Sequence, residues 1–106
     1  RRDRPTAIFA SNDDMAAAAI SVAHRRGLHV PEDVSIVGFD DTSLATTTWP
    51  EITTIRQPIA AMAETAVEML LTQIRGRRAG TADGGGDDRV LDHELIVRES
   101  SGPAPR

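Results

Sequence analysis

The chain has 106 residues, a formal net charge of -4 and no cysteine. This length leaves room for one small domain, and the missing cysteines exclude a disulfide framework, a thiolate metal site and a cysteine nucleophile. The acidic balance and the 3% aromatic content argue against a free-standing surface for nucleic acids. No apolar run approaches the roughly 20 residues that a membrane span needs.

The first forty residues predict a strand, a helix and a second strand. Residues 6–10 form a short apolar run typical of a buried strand. Ser11 or Asn12 can cap a helix that runs from Met15 to about Arg26. Residues 34–39 are apolar at nearly every position, which favours a parallel strand covered on both faces. The apolar stripe of the helix is predicted to consist of Met15, Ala18, Ala19, Val22 and Ala23.

The next segments predict a loop, a strand and a long helix. Residues 42–48 are polar and predict a loop with one helical turn, and residues 53–57 predict a short β-branched strand. Residues 58–76 predict the clearest helix of the sequence, ended by Gly76. Its apolar residues share one face at helical spacing: Ile59, Met62, Ala63, Ala66, Val67, Leu70, Leu71 and Ile74.

The remainder predicts a glycine-rich linker over residues 77–88, a final strand over 89–98 and a frayed tail over 99–106. The stripe of the long helix needs a partner, because an uncovered apolar face is an interaction site or an aggregation liability. Either this helix packs on the sheet, or it covers a structure that is absent from these 106 residues.

Polar groups follow each of the first three predicted strands: Asn12, Asp40 and Gln57. Ligands of open α/β sheets bind beyond the carboxyl ends of the strands. Two amides and a carboxylate at one rim can hold a polyhydroxylated small molecule, because they donate to and accept from hydroxyls. Such a site binds its ligand and performs no covalent chemistry.

Simpler interpretations stand beside this one. Asn12 and Asp13 can serve only as a helix cap, and Asp40 with Asp41 can form only a turn. Gln57 on its own would be a surface residue. A hard-metal site at two carboxylates has weak support, and the three scattered histidines have no catalytic or metal-binding spacing. The sequence also contains Trp49, which can stack on a ring or pack in a core or interface.

Four runs of the chain resemble the C-terminal sensor region of the LacI/GalR family of bacterial transcription regulators. They span residues 5–16, 26–41, 53–58 and 97–100, in the order and spacing of that family. The run from Pro31 to Asp41 is the most specific. The resemblance covers nearly the whole chain apart from the linker and the tail, and it is closer to the regulators than to the periplasmic sugar-binding proteins that share the fold.

The resemblance implies a part of an α/β, periplasmic-binding-protein-like (type I) sensor domain, with a parallel sheet and flanking helices. By motif, Asn12, Asp40 and Gln57 are identified as effector contacts. Four further residues are expected to lie behind or beside them: Asp13, Phe39, Asp41 and Trp49.

The resemblance further implies which part of a regulator this is. Residues 1–57 mainly belong to the C-terminal lobe and its crossover, and the helix over residues 58–76 is expected to pack on an absent N-terminal lobe. The DNA-binding helix-turn-helix is absent, and the chain begins with Arg1 as a piece of a longer protein does.

The expected function is effector sensing in a cytoplasmic, homodimeric regulator of transcription that binds a sugar-like molecule and operator DNA. The expected protein is not an enzyme, has no cofactor or metal and does not contact a membrane. The alternative is a fragment of a periplasmic sugar-binding protein of a transporter. The upstream sequence would distinguish the two, because a regulator would have a helix-turn-helix there and a periplasmic protein a signal peptide.

Overall fold

The computed structural model describes residues 4–79 and 89–105 of the chain. Contacts divide the chain into two units, Arg1–Gln57 with Glu94–Arg106 and Pro58–His93. The elements confirm a mixed α/β class and follow in this order: β1 (Ala7–Phe9), α1 (Asp13–Arg25), β2 (Ser35–Val37), a 3₁₀ helix (Ser43–Thr46), β3 (Thr54–Arg56), α2 (Ile59–Ala79) and β4 (Glu94–Ile96).

The first unit begins with the predicted strand–helix–strand arrangement. Strands β1 and β2 pair in parallel, with Ile8 opposite Ile36, and α1 is the crossover between them. Each strand is three residues long, shorter than predicted. The unit therefore has the parallel pairing that the apolar run of residues 34–39 indicates, and Ile36 lies at its centre with no exposed surface.

The buried face of α1 differs from the predicted stripe. Ala16 and Ile20 are buried, whereas Met15 and Val22 are 56% and 49% exposed. Of the predicted stripe, Ala23 alone falls in the buried class. The stripe was wrong because several alanines allow more than one apolar face at helical spacing, and packing against the sheet selected the face that begins at buried Asp13.

Strand β1 is exposed, which corrects the expectation of a buried strand. Ile8 and Phe9 are 38% and 68% exposed. Within residues 4–79 and 89–105, β1 is paired with β2 alone, so its other edge carries no strand. An open apolar groove beside α1, lined in part by Ile8, Ala18 and Val22, continues this surface.

The core of the first unit consists of small and branched apolar side chains. Fully burying one isoleucine contributes roughly 1.5–3 kcal/mol relative to leaving it exposed. The buried apolar residues are Ala16, Ile20, Ala23, Val30, Val34, Ile36, Ala45 and Ile52. They come from α1, the connection between α1 and β2, β2 itself, the 3₁₀ helix and the segment before β3, so the core ties these elements into one body.

Strand β3 continues beside the carboxyl end of β2. A parallel bridge joins Val37 to Thr53, and the Gly38 nitrogen donates to the Thr53 oxygen at 2.9 Å. Strand β4 then pairs antiparallel with β3, with Ile55 opposite Leu95. The ends of β2 and β3 are thereby brought to the same edge.

The segment after β4 is docked rather than frayed, which corrects the predicted tail. Ser100 is fully buried. Its backbone oxygen accepts from the Ile36 nitrogen at 2.8 Å, its Oγ accepts from the Thr53 nitrogen at 2.9 Å, and its hydroxyl donates to the Ile36 oxygen. Gly102 also bonds to Ser35 through its nitrogen, at 3.0 Å. Backbone pairing, which composition does not reveal, fixes this segment between β2 and the start of β3.

In the second unit, α2 extends from Ile59 to Ala79 and passes through Gly76, so the predicted stop at that glycine was wrong. A single helical glycine costs only about 1 kcal/mol relative to alanine, which a long helix tolerates. Residues 77–79 of the predicted linker are therefore helical, and the rest of the linker lies outside the described residues. In the described part of the chain, no helix has the length and apolarity to cross a membrane.

The apolar stripe of α2 is exposed. Val67 and Leu70 are 56% and 57% exposed, and Met62 is 41% exposed. Ile59, Leu71 and Ile74 also have at least 39% of their surface exposed. The apolar face of α2 is therefore exposed within the residues that the structure describes.

Candidate functional site

Asp40 and Gln57 lie side by side. Asp40 follows β2 by three residues, and Gln57 directly follows the last residue of β3. The Gln57 Nε2 donates to the Asp40 Oδ1 at 2.6 Å, and the Asp40 nitrogen donates to the Ile55 oxygen at 2.9 Å. Both residues are half-buried, so the pair forms a partly shielded polar edge.

Asn12 is the N-cap of α1, as predicted. Its backbone is extended, and its Oδ1 accepts from the Met15 nitrogen at 2.8 Å. This bond satisfies one of the free N–H groups at the helix start. Its Nδ2 makes no hydrogen bond to another described residue, so a capping role leaves the amide donor free for a ligand.

A backbone hydrogen bond brings Asn12 near the Asp40 loop. The nitrogen of Asp13 donates to the oxygen of Phe39 at 3.1 Å. Asn12 and Asp40 are each one residue away from this bond. The structure therefore brings together the regions of all three predicted residues, although within the described part of the chain only Asp40 and Gln57 are joined to each other by a side-chain bond.

Asp13 is a fully buried carboxylate behind this edge. Its Oδ1 accepts from the Thr54 Oγ1 at 2.7 Å. Its Oδ2 accepts from the Thr42 nitrogen at 2.6 Å and from the Thr42 Oγ1 at 3.2 Å. A buried carboxylate is tolerated when its oxygens are hydrogen-bonded in this way. Asp13 thereby ties the start of α1 to β3 and to the loop that carries Asp40.

Gly38 makes this buried network possible. A Cβ at position 38 would lie 2.4 Å from the Asp13 Oδ1 and 3.2 Å from the Asp13 Cα. No ordinary side chain fits at such distances, so glycine is required for close approach rather than for an unusual backbone angle. Apolar β2 can therefore end directly against a carboxylate.

Asp41 forms an ionic cluster with Arg56 and Arg98. Its Oδ2 lies 2.7 Å from the Arg56 Nε, and its Oδ1 lies 2.8 Å from the Arg98 Nη2. Burial raises the pKa of Asp41, but hydrogen bonds and charge from Arg56 and Arg98 outweigh it and hold this pKa below its ordinary value. The same hydrogen bond and charge from Asp41 raise the pKa of Arg56. Asp41 is therefore committed to its arginines and is not a free ligand-binding group.

The other two predicted residues lie less directly at this edge. Phe39 is half-buried and contributes its backbone oxygen, as described above. Trp49 is 78% exposed, and its ring lies 5.8 Å from the ring of His24 at an angle of 41°. These two rings line a surface pocket that contains none of the three predicted effector contacts. The structure thus does not bring Trp49 to this edge, and it excludes a core position for Trp49.

Several residues of the site were not predicted: Thr42, Thr54, Gly38 and Arg98. Thr42 and Thr54 are hydroxyl residues in segments that the sequence predicts only as a loop and a β-branched strand. Arg98 lies more than forty residues from Asp41 in sequence. Sequence order carries no signal for such contacts, because they depend on which strand ends become neighbours.

The arrangement is suited to binding a small molecule through hydrogen bonds. It contains one carboxylate and two amides, which together accept from and donate to hydroxyl groups. Among the described residues, no group of three or more His, Cys, Asp or Glu side chains could hold a metal ion. A neutral, hydroxyl-rich small molecule matches this set of groups.

The profile of the periplasmic binding protein-like domain family matches residues 1–101, and the chain belongs to that family. The resemblance to the sensor region of LacI/GalR-type regulators is confirmed by the relatives. The HTH-type transcriptional repressor CytR of Escherichia coli (strain K12) is 43% identical over 101 residues, which cover 95% of this chain and 28% of CytR.

Two solved structures show the same likeness. A dimeric Lac repressor with an 11-residue C-terminal deletion superposes with a TM-score of 0.78 at 33% identity, over 96% of this chain and 35% of the repressor. The transcriptional regulator CelR in complex with cellobiose gives a TM-score of 0.78 at 35% identity, over 91% of this chain and 28% of CelR. The chain thus spans roughly a third or less of these relatives.

Proposed function

We propose that this chain is the C-terminal part of the effector-binding domain of a bacterial, DNA-binding regulator of transcription. The observation that carries the proposal is the hydrogen-bonded pair of Asp40 and Gln57 beside the capping residue Asn12. This edge presents the groups that a sugar, polyol or nucleoside would require. The relatives that match the chain are regulators of this kind, which supports the assignment.

In this proposal, each of the three residues contacts the effector. Asp40 accepts hydrogen bonds from hydroxyls through its carboxylate, and charged acceptors form the stronger bonds. Gln57 donates to Asp40 and keeps its own oxygen as an acceptor. Asn12 caps α1 through Oδ1 and donates through Nδ2. Phe39 and Asp13 fix the spacing of these groups through the backbone bond and the buried network.

The proposed mechanism is a shift in population between two arrangements of a larger sensor domain. An effector that binds one arrangement more tightly favours that arrangement, and attached DNA-binding domains then change their affinity for operator DNA. We infer a cytoplasmic, homodimeric protein with no enzymatic activity. The dimeric state of the Lac repressor supports the homodimer.

The exposed face of α2 supports the same proposal. Residues 58–76 would pack on a second lobe formed by sequence outside these 106 residues, and residues 89–98 would carry the chain back. A large apolar stripe such as that of Met62, Val67 and Leu70 favours a covered position in the working protein. Trp49, which is exposed beside His24, is suited to an interface between subunits.

A periplasmic binding protein of a transporter remains the second reading that the fold allows, because the two classes share one architecture. The matched relatives are transcription regulators, which favours the regulator. A DNA-binding test separates the two functions, since the binding protein of a transporter does not bind operator DNA.

The test uses the intact protein that contains this chain and fluorescence anisotropy on DNA from its own promoter. L-arabinose, cellobiose and uridine represent a monosaccharide, a disaccharide and a nucleoside. We expect one of these classes to change DNA affinity and to raise the melting temperature of the protein. Failure to bind promoter DNA in the presence or absence of all three would contradict the regulator assignment.

Matched variants test the site. Asp40→Asn should abolish the response to the effective compound, whereas Asp33→Asn, a half-buried aspartate paired with Arg4, should preserve it. Asn12→Ser keeps a good N-cap and removes the amide donor. If Asn12→Ser weakens the response and leaves stability unchanged, Asn12 contacts the effector in addition to capping α1. If the response is unchanged, Asn12 serves only as a cap.

A further inference from the structure

The carboxylate of Asp41 connects three segments of the first unit. It belongs to the loop after β2, and it bonds to Arg56 at the end of β3 through Oδ2. Through Oδ1 it bonds to Arg98, two residues beyond β4. Arg98 in turn donates from Nη1 to the Ile52 oxygen at 3.0 Å. Both oxygens of one side chain are thus used to hold the two strands beside the loop.

This ionic cluster is adjacent in sequence to both members of the Asp40–Gln57 pair. Asp41 follows Asp40, and Arg56 precedes Gln57. The ion pair between Asp41 and Arg56, at 2.7 Å, and the hydrogen bond between Gln57 and Asp40, at 2.6 Å, therefore join the same two backbone segments. In each segment the two contacts are made by neighbouring residues. Since neighbouring residues share their backbone, a fixed distance between Asp41 and Arg56 limits the distance between Asp40 and Gln57.

The backbone of this loop needs such support. Asp40 has a φ of 108° and Asp41 a φ of 56°. Positive φ is uncommon for residues other than glycine, and the φ of Asp40 lies beyond the left-handed helical range that aspartate tolerates. Two backbone donors hold it in place, from Asp40 to the Ile55 oxygen at 2.9 Å and from Asp41 to the Thr54 Oγ1 at 3.3 Å. The ionic cluster adds two ion pairs to these contacts, at 2.7 and 2.8 Å.

We propose that Asp41 is a positioning residue of the effector site, which holds Asp40 and Gln57 in register through Arg56 and Arg98 without touching the ligand. The inference rests on the proposed function for the meaning of the Asp40–Gln57 pair. Its structural content is that the side-chain bond between Gln57 and Asp40 depends on the charge of Asp41.

This dependence is testable by ¹⁵N NMR on the intact protein that contains this chain, without any ligand. The side-chain amide of Gln57 reports its bond to Asp40 through its chemical shift and its exchange rate with water. We expect Asp41→Asn to shift this signal and to accelerate its exchange at least about fivefold, the change that loss of one ordinary hydrogen bond corresponds to. Asp33→Asn, which removes a different aspartate–arginine pair, should leave the Gln57 signal unchanged.

Arg56→Gln and Arg98→Gln provide a second route that keeps Asp41 in place. Each removes one partner, and each should move the Gln57 signal in the same direction as Asp41→Asn. Asp41→Glu should restore part of the change, because it keeps the charge. If Asp41→Asn does not fold, the two arginine variants decide the question. An unchanged Gln57 amide in folded Asp41→Asn, or in both arginine variants, would overturn the proposal.

The intact protein separates this proposal from the proposed function. With the compound among L-arabinose, cellobiose and uridine that acts, Asp41→Asn should weaken the response at least about fivefold. If Asp40→Asn abolishes the response while Asp41→Asn changes neither the response nor the Gln57 amide, Asp41 has no positioning role. If Asp41→Asn moves the Gln57 amide while no compound acts on the wild-type protein, the proposed function fails and the structural coupling stands.

Discussion

The first unit (residues 1–57 and 94–106) and helix α2 differ in which side chains they bury. The first unit buries Asp13, Thr54 and Ser100 together with three isoleucines, Ile20, Ile36 and Ile52. Within the described residues, no buried side-chain nitrogen or oxygen lacks a hydrogen-bond partner. Helix α2, by contrast, has a regular apolar stripe of which Val67 and Leu70 are more than half exposed.

The contrast shows that periodicity and burial are separate properties. The stripe of α2 is regular in the sequence, yet it is exposed in the described part of this chain. Helix α1 has an aspartate, Asp13, at the start of its buried face. Burial is decided by what lies opposite each face, so the difference between the two regions predicts different responses to substitution.

The largest expected difference is between truncations in the two regions. Ile36→Ala removes a fully buried side chain and should lower the free energy of unfolding by about 2–5 kcal/mol. Leu70→Ala, on exposed α2, should change it by less than about 0.5 kcal/mol in the 106-residue chain. Urea denaturation followed by circular dichroism measures both. Equal losses would contradict the exposed position of the α2 stripe.

The buried carboxylate provides the next comparison. Asp13→Asn places an amide opposite hydrogen-bond donors from Thr42 and Thr54, so part of the network is left unsatisfied. A loss of about 1.5–3 kcal/mol is expected, since bonds to a charged group are replaced by unpaired polar atoms. Asp14→Asn is the matched control, because Asp14 is an exposed neighbour in the same helical turn. A loss at Asp14 as large as that at Asp13 would refute the network.

Gly38 tests close approach at the end of β2, and Gly102 is its control. Gly38→Ala brings a Cβ to 2.4 Å from the Asp13 Oδ1, and such overpacking should cost about 1–3 kcal/mol. Gly102→Ala meets only Pro31, at 3.4 Å, and should be nearly neutral. Thermal unfolding compares the two variants. The double variant Gly38→Ala with Asp13→Ala should recover part of the Gly38 loss, because the clashing carboxylate is gone.

The smallest expected effect is the pH dependence that Asp41 contributes. Its pKa is lower in the folded chain than its ordinary value, which is about 3.9 for an unfolded aspartate. The stabilisation is therefore complete above that value and is lost as the pH falls through the folded pKa. The stability difference between the wild type and Asp41→Asn should shrink on acidification from pH 6. A difference that stays constant down to pH 2 would contradict the assignment.

Much of the local architecture was predictable from the sequence. The polar groups Asn12, Asp40 and Gln57 were expected at strand ends, and the structure places Asp40 and Gln57 in contact. The cap at Asn12 and the helical turn in residues 42–48 were also expected and are present. These features depend on local chemistry: capping groups, turn residues and the position of polar residues after an apolar run.

The predictions that were wrong concern features that depend on neighbours in space. The predicted stripe of α1, the buried state of β1 and the free tail failed, because the alanine-rich helix, the strand edge and Ser100 are each defined by what packs against them. Gly76 does not end α2, since one glycine is too weak a signal to stop a long helix.

By itself, the sequence determined the α/β class, the order of the elements, the polar strand ends and a resemblance to the sensor region of a regulator family. The tertiary structure alone decided that Asp13 is a buried junction between α1, β3 and the Asp40 loop, and that Asp41 pairs with both Arg56 and Arg98. The physical reason is distance along the chain. Local preferences act over a few residues, whereas hydrogen bonds and ion pairs between strand ends form only after the sheet has brought those ends together.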